Sequence, residues 1–427
     1  MSALSFTFIA NACGIFKGSK GTRLLCDPWI VDGVFEGSWC HFPKLETTFS
    51  NISDVDAIFI SHLHPDHLDD RHFDFRKDVP IIVLDHGPNF LAKKLLSMGF
   101  LNLIRVKDQE TVQFKEFEIT LFAPFTKHNY HDSVIGNLID SAMVISCEGF
   151  NALNANDNTP TPEVCSQLRD RFGKIDLAMI NYNAAGPYPS CFNNLSIQEK
   201  KKEHSRILER NLQYLSSLIF ELNPRFVLPF AGAYVLGGRM SFKNEYLGTM
   251  NWDECAKYLL NTIKPEVKVV LLREKMSFDI ENGVSDKTYI PLDPLEMQIY
   301  ISEFLSKLKY TYEEDDYPDI GIMLQEMEIA SSKMTSKMKS LGIESQFDVI
   351  IKVNEENVQI FPGFKLLSSP SQSSKTLTCS LDVRLMKRIL HRRANWNSAE
   401  IGTHIDFIRI PNIYEPDLHT ALQFFHI

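Results

Sequence analysis

Residues 60–70 read ISHLHPDHLDD, with three histidines and three aspartates in eleven positions directly behind the apolar run AIF at 57–59. On an extended backbone, side chains two apart point the same way, so His62 and His64 can reach one cation together. A turn after Pro65 swings Asp66 and His67 toward a second position nearby. The apolar strand beneath supplies a rigid base, which ligands need if they are to be held in place. Neutral imidazole and carboxylate suit zinc, iron(II) or manganese, and the lack of cysteine ligands argues against a closed structural zinc site. The competing reading is a solvated loop; three histidines and Asp66 in H-x-H-x-D-H spacing weigh against it.

The chain has 427 residues, enough for two or three domains at roughly 100–200 residues each. Hydrophobic residues make up 44% and charged residues 23%, an ordinary globular composition. The net charge of -10 and pI near 5.7 argue against a nucleic-acid partner. The eight cysteines are scattered with no CxxC pair, which fits reduced thiols in a cytoplasmic protein. The opening MSALSFTFIANACGIF has no basic leader region, so no signal peptide is expected, and no apolar run reaches membrane-spanning length.

Residues 5–30 read as two β segments around a turn at 18–21, followed by the buried strand that carries the histidine motif. PNFLAKKLLSMGF (88–100) patterns as an amphipathic helix and ETVQFKEFEITLFAP (110–124) as a hairpin, and SAMVISCEGFNALNAND (141–157) adds two more strands. From about 160 to 290 helices alternate with strands. Helical stretches at 293–310 and 318–341 form a connector. From 346 onward the pattern is a small α+β unit, with a Ser-rich flexible loop at 367–374. The expected division is therefore 1–290, 291–345 and 346–427.

The H-x-H-x-D-H spacing resembles the signature of the metallo-β-lactamase fold superfamily, and the resemblance implies an αββα sandwich with the small α+β domain appended. It also implies a ligand set. His62, His64 and a third histidine downstream would hold one metal; Asp66, His67 and a bridging aspartate would form a second site. For the third histidine, TKHNYHDSVIGN offers His128 and His131, with His131 preferred because it lies nearer the next strand. Asp157, closing ALNAND, takes the bridging place, with an Asn/Asp turn as its alternative. Asp27 in LLCDPW matches the family's strand-terminal acid and is a candidate partner for a ligand imidazole, or else a turn cap before Pro28. The family's last histidine is missing: the strand that should end in it reads RFVLPFAGAYV, and the only histidine between His131 and His391 is His204, in a lysine-rich face.

The segments DPW (27–29), ISHLHPDHL (60–68), LNAND (153–157) and PFAG (229–232) are together similar to the CMP-N-acetylneuraminate hydroxylase family, as is the C-terminal YEPDLHTALQFFHI. That family takes electrons through a Rieske cluster, which needs cysteine–histidine pairs. This sequence has no Cys-x-His at all, so a hydroxylase reading requires a separate electron-transfer protein.

Three functional readings follow. A metal-dependent hydrolase would direct activated water at a phosphate, ester, lactone or amide centre of a small polar substrate, including sugar- or nucleotide-containing ones, with Asp66 or Asp157 taking the proton. An iron-dependent hydroxylase would act on a nucleotide-sugar-like substrate. A binding protein would keep the scaffold without chemistry. The cofactor expected is one or two divalent ions, zinc ahead of iron or manganese. Asn181, Tyr182 and Asn183 in NYNAAGPYPS could contact substrate, and Arg239 and Lys243 behind a glycine pair could clamp an anion.

Overall fold

The computed structural model of this chain describes residues 2–126, 139–355, 358–368 and 375–427. Among them, an eight-stranded sheet and a seven-stranded sheet lie face to face, and a five-stranded sheet belongs to the C-terminal unit. The strand Ala57–Phe59 pairs in parallel with Arg23–Cys26 on one side and Ile81–Leu84 on the other. Its alternate residues serve two different cores: Ala57 and Phe59 face the second sheet, whereas Ile58 and Ile60 face the outer layer with Leu95 and Phe100. A strand buried on both faces has no polar side to show, which explains the unbroken apolar run before the histidines.

The second sheet is built the same way. Phe117, Ile119, Met143 and Ile145 meet the first sheet, while Val144, Leu153, Ala178 and Val227 pack under an outer helical layer. The longest helix of that layer, Ile197–Leu222, starts at a capping box in which Glu199 N–H donates to Ser196 Oγ (3.3 Å) and Ser196 N–H to Glu199 Oε2 (2.7 Å). It buries Leu212, Leu215, Leu218, Ile219 and Leu222, one stripe at helical spacing. Helix, sheet, sheet and helix thus stack in the order expected of an α/β sandwich.

Two local features differ from the sequence expectation. The first β segment is two strands, Leu4–Ala10 and Cys13–Gly18, folded back on each other with Ala10 opposite Cys13. The chain reverses at Asn11, which holds a left-handed φ of 43°, a conformation asparagine tolerates better than most residues. The helix Ile320–Leu341, expected within the connector, buries Met323, Met327, Ala330, Met334 and Met338 in the core of the C-terminal unit.

That core also takes Cys191 and Phe192 from the long loop before the helix Ile197–Leu222. Asn193 N–H donates to Phe407 O and Phe407 N–H to Cys191 O, each at 2.8 Å, so the loop adds to the edge strand Asp406–Ile410. No helix among the described residues is long and apolar enough to cross a membrane. The Ser-rich stretch at 369–374 lies outside the described residues.

Candidate metal centre

The parallel strands of both sheets end at one edge. Arg23–Cys26 runs into Asp27, Ala57–Phe59 into the histidine motif, Phe150–Asn156 into Asp157, Leu177–Ile180 into Asn181, and Phe226–Pro229 into Phe230–Gly232. Loops leaving the carboxyl ends of parallel strands are where α/β folds assemble their sites, and here they bring together residues more than 100 positions apart.

Two groups of donor atoms form there. One nitrogen or oxygen each from His62, His64 and Asp157 lie within 4.8 Å of one another, and so do atoms from Asp66, His67 and Asp157. Asp157 belongs to both. His62 Nε2 and His64 Nδ1 are 2.9 Å apart, close to the roughly 3 Å that separates two nitrogens bound at about 2.1 Å to one cation. His67 Nε2 lies 3.4 Å from Asp66 Oδ2 and 3.5 Å from Asp157 Oδ2. His62 Nε2 lies 3.8 Å from Asp157 Oδ2 and 3.8 Å from Asp140 Oδ1.

The neighbours orient these side chains. Asp27 is fully buried; its Oδ1 accepts from Ser61 N–H at 2.8 Å and its Oδ2 lies 3.1 Å from His67 Nδ1. A carboxylate behind an imidazole favours positive charge on the ring or a cation bound to it, and leaves the other nitrogen facing the site. Ser61 Oγ sits 3.0 Å from His62 Nδ1 and 3.1 Å from His67 Nδ1, while Asn11 Nδ2 donates to Asp66 Oδ2 at 3.2 Å and Asn181 Nδ2 to Asp157 Oδ1 at 3.1 Å. Asn11 Oδ1 also accepts from Ala233 N–H, which ties the PFAG loop to the same acid.

The electrostatics suit a cation. Burial holds His62 down to about 4, helped by the neighbouring His67 charge. Burial works against charge on His67 too, but Asp66, Asp157 and Asp27 outweigh it and raise that imidazole well above its ordinary value. Burial would raise the Asp157 carboxyl, yet His67 and His62 hold it low. His67 Nε2 is buried and has no hydrogen-bond partner among the described residues. An orphaned buried ring nitrogen facing two carboxylates is costly for a structural histidine and natural for a ligand. The residues present therefore fit one or two divalent ions. His62, His64 and Asp157 would hold one, and His67, Asp66 and Asp157 the other.

His128 and His131 lie outside the described residues. Of the residues expected near substrate, Asn181 reaches the centre through Asp157. Tyr182 and Asn183 do not: Tyr182 is 2% exposed within the outer core, and Asn183 donates to Gly232 O and Met250 O, bracing two loops. The anion clamp expected of Arg239 and Lys243 is not formed. Arg239 pairs with Glu313 (2.9 Å) and Asp382 (3.3 Å), and Lys243, 2% exposed, donates to Asp406 (2.7 Å) and Thr403 O (2.8 Å). Both cations already have acids or carbonyls from the C-terminal unit and join the two units. His204 is half-buried against the Leu247 carbonyl, away from the centre.

Asn11, Ser61 and Asp140 have no counterpart in the sequence expectation. Asp140 carried a faint signal, an acid immediately before the buried strand Ala142–Cys147. Asn11 carried none, because its partner Asp66 is 55 positions away.

Residues 22–204 match the beta-lactamase superfamily domain. A Mycolicibacterium smegmatis protein named as a Rieske 2Fe-2S iron–sulfur protein is 29% identical over 239 residues, covering 54% of this chain and 43% of that one. This chain thus spans less than half the length of that relative. The cytidine monophosphate-N-acetylneuraminic acid hydroxylase of Mus musculus is 26% identical over 445 residues, covering 96% of this chain and 72% of the hydroxylase. A solved structure described as a possible metal-dependent hydrolase from Veillonella parvula DSM 2008 superposes with a TM-score of 0.47 at 15% identity, covering 65% of this chain and 100% of that one. Residues 22–204 are thus similar to the beta-lactamase superfamily domain, and most of the chain's length is similar to cytidine monophosphate-N-acetylneuraminic acid hydroxylase.

Proposed function

We propose that this protein is a metal-dependent hydrolase of a small polar substrate. The observation that carries the reading is the shared placement of Asp157 between two donor groups, each with at least one buried imidazole. Divalent ions bound there would polarise a carbonyl or phosphoryl oxygen and make water acidic. The protein's own part is positional. Asp27 and Ser61 aim His67, and Asn181 keeps Asp157 turned inward. Asp66, fixed by Asn11, offers the carboxylate oxygen best placed to take a proton from water and pass it on.

A second reading is oxygen-dependent hydroxylation of a nucleotide-sugar-like substrate with electrons from a separate protein. Its support is the hydroxylase similarity over 96% of the chain, together with a donor set rich in carboxylates, including Asp140, that suits iron as well as zinc. Elemental analysis of protein purified without oxygen separates the two. Zinc at one or two equivalents favours hydrolysis; iron with visible absorption favours oxidation. His64→Ala should lose the stoichiometric metal while staying folded by circular dichroism; full metal retention in that variant would overturn the assignment.

A further inference from the structure

The segment Gly33–Gly37 lies between the metal loops and the C-terminal unit, and its backbone is unusual. Gly33 (φ 93°), Phe35 (φ 52°), Glu36 (φ 58°) and Gly37 (φ 95°) all occupy the left-handed region. For phenylalanine and glutamate this conformation is strained and persists only where surroundings over-determine it.

Those surroundings come from two directions. From the metal side, Arg71, gripped by the buried Asp69 just beyond the histidine motif, donates to Gly33 O at 2.5 Å. From the C-terminal unit, His404 Nε2 donates to Phe35 O at 2.8 Å, and Arg388 pairs with Glu36 at 3.2 Å. Trp39, just after the segment, donates its Nε1–H to Ile401 O at 3.2 Å. The approach is so close that a Cβ on Gly402 would meet Phe35 O at 2.9 Å.

His404 itself is 2% exposed and its other nitrogen is satisfied. Tyr312 OH donates to Nδ1 at 3.2 Å, and Arg239, held by Glu313 and Asp382, donates to that same hydroxyl at 3.2 Å. The ring is thereby locked in one tautomer.

What the segment presents is Phe35. Its ring packs on Trp39 (centroids 4.6 Å), Trp39 stacks on Tyr234 (3.4 Å, 6°), and on its other side Phe35 lies 6.3 Å from the ring of His64. His64 is the half-buried member of its pair, with the ring of His62 at 4.7 Å and Phe35 as its second wall. The separations of Phe35 and His62 from His64 fall within the range, roughly 4.5–7 Å, over which ring pairs favour particular mutual orientations.

We propose that the C-terminal unit is a working part of the metal centre. Through His404 it fixes the left-handed segment Gly33–Gly37 and so places the Phe35 ring that orients His64. His404 is a positioning residue, one carbonyl removed from the ring that touches the ligand. The inference rests on His64 being a metal ligand, as proposed above.

Cobalt(II) titration of the full-length protein tests it, read by the visible spectrum and the dissociation constant. His404→Leu, which removes both hydrogen bonds, should weaken cobalt binding about tenfold, the lower end of what partners behind a ligand contribute, and alter the visible bands. His404→Gln, which keeps an N–H donor, should return to within about threefold of the unaltered protein on the same scale. Wild-type affinity and spectrum in His404→Leu would overturn the proposal. Should that variant fail to fold, Phe35→Leu, which leaves the joint in place, carries the same expectation, and an unchanged spectrum there overturns it equally. Unaltered protein that takes up no cobalt would instead defeat the metal reading itself, a separate outcome.

Discussion

Two buried histidines, His67 at the metal loops and His404 at the joint with the C-terminal unit, have opposite surroundings. His67 is enclosed by Asp27, Asp66 and Asp157, which raise its pKa, and its Nε2 has no hydrogen-bond partner among the described residues. His404 is held down to about 3 by burial, with Lys243 and Arg239 adding to the effect, and both its nitrogens are hydrogen-bonded. Burial alone therefore distinguishes nothing. A ring surrounded by acids with an unmet nitrogen is prepared for a cation, whereas one with both nitrogens met, flanked by cations, is a neutral strut.

The sharpest way to break this contrast is Asp27→Asn. The amide keeps an acceptor for Ser61 N–H but turns an N–H toward His67 Nδ1, removing the carboxylate charge behind that ring. Metal affinity measured by competition with a chelator should fall by about 10- to 100-fold. Unchanged affinity would mean that His67 is no better prepared for a cation than His404.

A smaller effect is expected from pH. The folded-state pKa of His404 lies near 3, and an unfolded histidine titrates near 6.5, so between those values the unfolded chain binds more protons. The stability His404 contributes is complete above about pH 6.5 and is lost as pH falls toward 3. Urea melts of His404→Gln should show a shallower loss of stability across this window than the unaltered protein. Parallel curves would show that His404 is not held neutral.

The smallest effect concerns Tyr182, whose buried hydroxyl has no partner among the described residues. Removing an unsatisfied buried group leaves no broken bond behind, so Tyr182→Phe should change stability by less than about 1 kcal/mol and leave metal content intact. A large loss in either would show that the hydroxyl serves the centre after all.

The comparison also marks how far local pattern reaches. His62, His64, Asp66 and His67 were legible because their spacing, set on a strand and a following turn, already aims them together. Asp157 and Asp27 were picked out only through the family resemblance, and in the folded molecule each follows a strand whose end lies at the shared edge. Arg239 and Lys243 misled because a glycine pair followed by two cations looks like an anion loop; their carboxylates, Glu313, Asp382 and Asp406, lie 70 or more positions further on. Asn11 interrupts the first apolar run, but nothing near it in the sequence points to Asp66, 55 positions away.

Read by itself, the amino-acid order pointed to the sandwich and to the cluster His62, His64, Asp66 and His67, because both follow from periodicity and short-range spacing. Which nitrogen faces the centre, which acids stand behind it, and how the C-terminal unit reaches Phe35 were decided only in the folded molecule. Those outcomes depend on contacts between segments up to 369 positions apart. Hydrogen bonds and ion pairs act over a few ångströms in space, and distance along the chain carries no record of them.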